Sequence, residues 1–241
     1  MKKGKYYLIG VALMAVALMN LNGCMNPALQ KKQAEKALEE KYGEAFQITN
    51  YNGVAFGDDY YTVDAYAEAH PEIPFLASID LKNGVVSDPY VTKRLCGRIS
   101  DKVIENIAAI KDDIYVFTEA ALDGTLLTDP EISFEAYIQE MPETKFYIHI
   151  FIDHQASTKK ELVNELLKTA DGFPQLNGSL CLYFGTEEQL NNIREYAESH
   201  NELYREFQTM TDDMYIGTYK IVNGNVLLTE YELMEKAGDR L

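Results

Sequence analysis

The chain has no tryptophan, three cysteines and four histidines in 241 residues, and far fewer basic than acidic side chains. Each shortage removes a class of function. With 22 Lys+Arg against 38 Asp+Glu the net charge is −16. Nucleic-acid binding neutralises phosphates with basic residues, so that class is excluded. The histidines are His70, His149, His154 and His200, and no two stand four apart as a helical zinc motif needs. His149 and His154, five apart, fall in a strand and just after it. His200 sits on the apolar side of a helix, where a packed core histidine is the ordinary reading. No glycine-rich phosphate cradle is present. No serine occupies a tight strand-to-helix turn of the nucleophile type, because Ser179 follows Gly178 but enters a strand. The acidic turns Asp58-Asp59, Asp123 to Asp129 and Asp212-Asp213 lack the ligand order of a calcium loop. No cofactor and no metal are expected.

Long apolar runs are also missing. The run over residues 6–19 is fourteen residues long, against about 20 needed to span a bilayer as a helix. It follows Lys2, Lys3 and Lys5 and precedes Leu21-Asn22-Gly23-Cys24. A basic start, a short apolar stretch and small residues before a cut make an export signal. The last four residues resemble the lipobox of bacterial lipoproteins, with Asn22 a departure from the usual small or β-branched residue. The resemblance implies lipid transfer to the Cys24 thiol and cleavage before Cys24. It places the protein on the outer face of the cell membrane, with the bilayer as its first partner. Two acyl chains suffice for stable attachment, whereas one is reversible. Loss of residues 1–23 takes away three lysines and no acids, moving the charge from −16 to −19 over 218 residues. Such a chain gains nothing from anionic lipid, so the acyl chains do the anchoring.

With Cys24 carrying lipid, Cys96 and Cys181 remain. An extracytoplasmic site permits a disulfide. Two free buried thiols are the preferred reading, since the two lie in different modules.

Seventeen tyrosines and ten phenylalanines favour sheet-rich structure. Asn26-Pro27 suits a helix start and Gly43 its stop, with Ala34, Ala37, Leu38 and Tyr42 at helical spacing. Strands are expected over 46–56, 60–69 and 75–82, then a helix over 89–110. Residues 112–131 read as a linker, with a short strand candidate at 114–118 and turn signals at Asp123-Gly124 and Asp129-Pro130. A second module begins at Ile132, with strands expected over 132–140 and 145–153. Thr158 with Glu161 and Thr186 with Gln189 have capping-box spacing. The first opens a helix carrying Leu162, Val163, Leu166, Leu167 and Ala170. The second opens a long helix carrying Leu190, Ile193, Ala197, Tyr204 and Phe207. A strand is expected over 178–184. Strands over 214–222 and 226–233 flank Asn223-Gly224, a two-residue hairpin signal. The fold class is therefore α+β, in two small modules with mainly antiparallel sheets. Residues 24–111 read α-β-β-β-α and residues 132–241 read β-β-α-β-α-β-β.

Arg94, Arg98 and Lys102 recur every four residues on the second helix, within a very acidic chain. Like charges at that spacing repel by roughly 0.2–0.5 kcal/mol per pair. Either the stripe is solvated or self-paired, or it meets an acidic surface, of the second module or of a partner. Cys96 lies beside Arg94 and Arg98, but helical spacing puts it next to Leu95 and Ile99 at the core edge.

The segment Ala34-Glu35-Lys36-Ala37-Leu38-Glu39-Glu40-Lys41-Tyr42-Gly43, behind its lipobox, resembles a family of uncharacterised lipoproteins of Gram-positive bacteria. The likeness covers mainly residues 1–100. It implies a cell-surface location and carries no activity or site residues. Two functional classes stay open. One is a non-catalytic surface module that binds a peptide, a protein or a cell-wall component. The other is an extracytoplasmic enzyme whose site is assembled by the fold. A solute-binding protein fits less well, because two parallel α/β lobes are not apparent.

Overall fold

A computed structural model describes residues 26–55, 57–107, 114–121, 124–153, 159–199, 210–229, 232 and 235–236. The signal segment, Cys24, His154, Thr158, His200, Tyr204 and Phe207 lie outside these. The fold is α+β, with one four-stranded and one five-stranded sheet.

Helix α1 (Pro27–Tyr42) starts where Asn26 accepts a hydrogen bond from the Ala28 N–H, with proline at its first position. It stops at Gly43, whose φ of 74° most side chains would resist. Strands β1 (Phe46–Gly53), β2 (Tyr60–Ala67), β3 (His70–Asp80) and β4 (Val86–Ser87) follow as an antiparallel meander. The alternation along β2 turns Tyr61, Val63, Ala65 and Ala67 towards α1, where Ala34 and Leu38 complete a small core. The other side of the sheet faces solvent, as one-sided antiparallel sheets do.

Helix α2 (Tyr90–Asn106) belongs to both cores. Tyr90 packs among Phe46 and Phe75 of the first sheet. From the next residue on, Val91, Leu95, Ile99 and Val103 lie against the second sheet. That sheet has the order β5-β6-β7-β8-β9. Its strands are β5 (Ile114–Ala120), β6 (Phe146–Asp153), β7 (Gly178–Gly185), β8 (Tyr215–Val222) and β9 (Asn225–Val226). Only β6 and β7 run parallel among the neighbours. Helix α4 (Lys159–Leu166) makes the crossover between them that parallel neighbours require. Between β5 and β6 comes α3 (Phe134–Glu140); α5 (Glu187–Ser199) follows β7.

Several elements differ from the sequence expectation. Residues 132–140 are not a strand. Ser133 accepts a hydrogen bond from the Ala136 N–H and opens α3, and Phe134 and Tyr137 bury at helical spacing. The missing strand is supplied by the short candidate at 114–118. It lengthens to β5 and pairs with β6 from Ile114↔Ile152 to Ala120↔Phe146. So a stretch assigned to the linker forms an edge of the second sheet. The last strand is shorter than the expected 226–233. It ends at Val226, and beyond it Thr229 and Glu232 form a capping box, Thr229 N–H to Glu232 Oε2 at 3.0 Å and Glu232 N–H to Thr229 Oγ1 at 3.2 Å. The Thr186–Gln189 box does form. The Asn223-Gly224 hairpin has both residues at positive φ, 48° and 74°.

Candidate functional site

Three places concentrate polar or aromatic side chains: the arginine stripe on α2, the junction around Asp88, and the outer face of the second sheet.

The stripe is largely used within the chain. Arg94 and Arg98 both pair with Glu131. Arg98 also donates to the carbonyls of Pro130 at 2.7 Å and Ile132 at 2.6 Å. A planar guanidinium with five donors can hold a turn in this way, and a lysine could not. The two arginines thus strap the segment leading into α3 onto α2. Lys102 stands apart from that strap and pairs with Glu105 one turn on, at 2.9 Å. Arg94 and Arg98 thus meet an acid from the segment ahead of α3, and Lys102 meets one of its own helix.

Asp88 sits where α1, β4, α2 and the loop at Thr125 meet. Its side chain is 0% exposed, and Lys41, 10% exposed, reaches it at 2.8 Å. Tyr42 donates its hydroxyl to Asp88 Oδ1 at 2.7 Å, and the Tyr90 N–H adds a third bond at 2.9 Å. Lys41 spends its remaining donors on the carbonyls of Thr125 at 2.8 Å and Val86 at 3.3 Å. Burial, then Asp88, pushes the Tyr42 phenol far above its usual value. Every polar arm is directed inward, which makes this a structural joint. A shallow cleft beside it is lined by Ala37, Gly84, Val85 and Leu126.

The outer face of the second sheet gathers more chemistry. Odd positions of β5 and β6 point away from the α2 core, and register aligns them with β7 and β8. One row is Phe117, His149, Cys181 and Thr218; the next is Tyr115, Phe151, Tyr183 and Tyr215. Neighbouring rings touch along the face, two pairs stacked and the others tilted. Phe151 and Tyr183 lie 4.4 Å apart at 16°, and His149 lies 5.8 Å from Tyr183 at 22°. His149 Nδ1 is 3.1 Å from the Tyr183 hydroxyl. Thr218 Oγ1 links Cys181 Sγ at 3.5 Å to the Tyr215 hydroxyl at 2.8 Å. Leu190 and Ile193 of α5, with Met214, cover part of the face. Tyr215 is well exposed, while Phe117, Tyr147 and His149 are half-buried.

Burial disfavours the charged form of each of these groups. It pushes the Cys181 thiol up and the Tyr183 phenol up. It brings the His149 imidazole down to about 4. It pushes the Glu119 carboxyl up to about 7, with Lys93 pulling the other way. A raised thiol is the reverse of an activated nucleophile. Cys96 and Cys181 are buried thiols outside any disulfide, in different core clusters. They lie on opposite sides of the sheet, which keeps them from pairing. Among the described residues no three His, Cys, Asp or Glu are grouped so as to hold a metal.

The two shifted groups predict a pH signature. His149 titrates lower in the folded chain than the usual 6.5. Its contribution is therefore complete above about 6.5 and is lost as pH falls towards 4. Glu119 titrates higher than the usual 4.5. Its contribution is complete below about 4.5 and is lost as pH rises through 7. Between about pH 4.5 and 6.5 the two slopes oppose each other, each worth up to about 3 kcal/mol at 1.36 kcal/mol per pKa unit. Urea midpoints across that window are expected to separate two single variants in opposite directions. Relative to the parent, Glu119→Gln should lose stability towards acid, and His149→Phe should lose it towards neutral pH. Parallel profiles for parent and variants would show that neither group is buried as described.

Sequence reasoning passed over this face. His149 was weighed only against His154, and Cys181 only against Cys96. Bulky residues at every position of β6 were the available signal, but the register to Cys181 and Thr218 comes only with the pairing.

The chain matches no family model and no curated protein. It is similar in fold to the solved structure of a DUF5037 family protein from Ruminococcus gnavus. The TM-score is 0.65 at 14% identity, over 86% of this chain and 99% of that one. That likeness is one of fold.

Proposed function

We propose that the protein is a lipid-anchored lipoprotein on the outer face of the cell membrane, and that its folded part acts by binding, not by catalysis. The bound class is a peptide, a protein or a cell-wall component. The anchor rests on the lysine start, the short apolar run and Leu21-Asn22-Gly23-Cys24. The observation that carries the binding role is the uncovered margin of the aromatic face, half-buried Phe117 and Tyr147 with exposed Tyr215, beside the stacked rings that pack under α5. Flat rings edged by hydroxyls suit contact with a ligand that is part apolar and part hydrogen-bonding.

The mature protein on beads is expected to retain a partner from isolated cell walls or a detergent extract of membranes. Phe117→Glu with Tyr147→Glu places charge on the half-buried part of the face and is expected to reduce retention at least about tenfold, as loss of one or two interface anchors does. Equal retention by parent and variant, or none by either, would contradict the proposal. The alternative is an extracytoplasmic enzyme with a fold-assembled site. It draws on one feature, the register pairing of His149 with Cys181, and predicts rapid alkylation of Cys181 near neutral pH.

A further inference from the structure

The lipid and the fold together constrain how the molecule stands on the membrane. Two residues' length separates Cys24 from Asn26, where α1 begins. At 3.8 Å between successive α-carbons that is roughly 7–8 Å of reach. The first turn of α1 is therefore held at the bilayer surface, and whatever lies beside it is held there too.

That neighbourhood can be read from the topology. A short link through Gly43 joins the end of α1 to the start of β1, so the start of α1 lies at the far end of β1. Two contacts fix this: Lys31 Nζ donates to the Thr49 carbonyl at 2.8 Å, and the Tyr61 hydroxyl donates to the Gln30 carbonyl at 3.4 Å. The β1–β2 loop and the turn after β3 occupy the same end, since Tyr60 pairs with Asp80 and the Leu81 N–H bonds the Asp59 carbonyl. Large apolar side chains exposed here include Leu29 at 53%, Val54 at 40%, Tyr60 at 43% and Leu81 at 42%. The charges of this end balance, with Lys31, Lys32 and Lys82 against Asp58, Asp59 and Asp80, and Lys82 is paired with Asp59. In a chain at −19 once cleaved, an apolar and locally neutral end beside the anchor is where contact with lipid is least opposed.

The geometry points to this end, Leu29, Val54, Tyr60 and Leu81, as a bilayer-contacting surface that seats the lipoprotein on the headgroup–acyl boundary. The inference rests on the lipid anchor at Cys24 proposed above. Its consequence is directional. Glu68, one residue past the end of β2 opposite Tyr60, stands roughly 26 Å from Tyr60 along that strand, at about 3.3 Å per residue.

The absence of tryptophan makes the test clean. Lipidated full-length precursor product, processed in cells, is reconstituted into phosphatidylcholine vesicles brominated in the acyl chain. Leu29→Trp, Val54→Trp and Glu68→Trp are compared after an unchanged melting curve is verified; Leu81→Trp replaces any variant that fails to fold. Leu29→Trp and Val54→Trp should shift to the blue and lose about half their emission, as side chains 5–10 Å into the boundary do. Glu68→Trp should keep its emission. Vesicle flotation separates the two ideas. A chain that does not float overturns the anchor itself. A chain that floats with all probes unquenched, or with Glu68→Trp quenched equally, overturns the seating surface and leaves the anchor standing.

Discussion

Asp88→Ala is expected to lower the unfolding free energy by about 3–5 kcal/mol, the cost of leaving a buried charge without its partner. The substitution removes the acceptor for Lys41, Tyr42 and the Tyr90 N–H at once. Lys41 then stays buried with only the Val86 and Thr125 carbonyls to receive it. The damage is not confined to one element, because the carboxylate joins the end of α1 to the start of α2. Since α2 supplies both cores, the loss should appear as a lower urea midpoint for the whole molecule. The double variant Lys41→Met with Asp88→Leu should be less harmful than Asp88→Ala, because no orphaned charge remains. A midpoint for Asp88→Ala within about 0.5 kcal/mol of the parent, the range of ordinary surface changes, would contradict this account of the joint.

Gly178→Ala is the second large effect. Gly178 begins β7 and is the register partner of Phe146. A Cβ there would fall 1.8 Å from the Phe146 carbonyl oxygen and 2.7 Å from its carbonyl carbon. The obstacle is backbone, so no side-chain rotation relieves it. The opening of the only parallel pair among the described strands must shift, including the Phe146 N–H bond to the Asn177 carbonyl at 3.0 Å. A loss of about 3 kcal/mol or more is expected, at the upper end for overpacking. Gly97→Ala is the control. It lies inside α2 with nothing within 4 Å of a new Cβ, and should gain up to about 1 kcal/mol from helix propensity. Melting temperatures of the two variants should therefore move in opposite directions.

Much of this fold was legible because local signals agreed with one another. Asn26-Pro27 and Gly43 bound α1 in sequence and structure alike. Asn223-Gly224 placed the last hairpin. The failures have physical causes. Residues 132–140 read as a strand in sequence, yet the Ser133 cap and helical spacing of Phe134 and Tyr137 make a helix. The strand Ile114–Ala120 exceeds its sequence signal because seven residues at a sheet edge draw their stability from a partner strand, here β6, that is distant in sequence. The candidate face was illegible for a related reason. His149, Cys181 and Thr218 come from three separate strands, and only register assembles them. The arginine stripe was visible, but its partner Glu131 lay in a stretch read as linker.

The central claim is that Cys24 carries the lipid that places this acidic fold outside the cell. It is tested most directly by growing cells on an alkyne fatty acid and comparing the parent with Cys24→Ser. The account predicts label on the parent in the membrane fraction, and no label with release from the membrane for Cys24→Ser. An unlabelled parent, or a serine variant that keeps both label and membrane location, would contradict it.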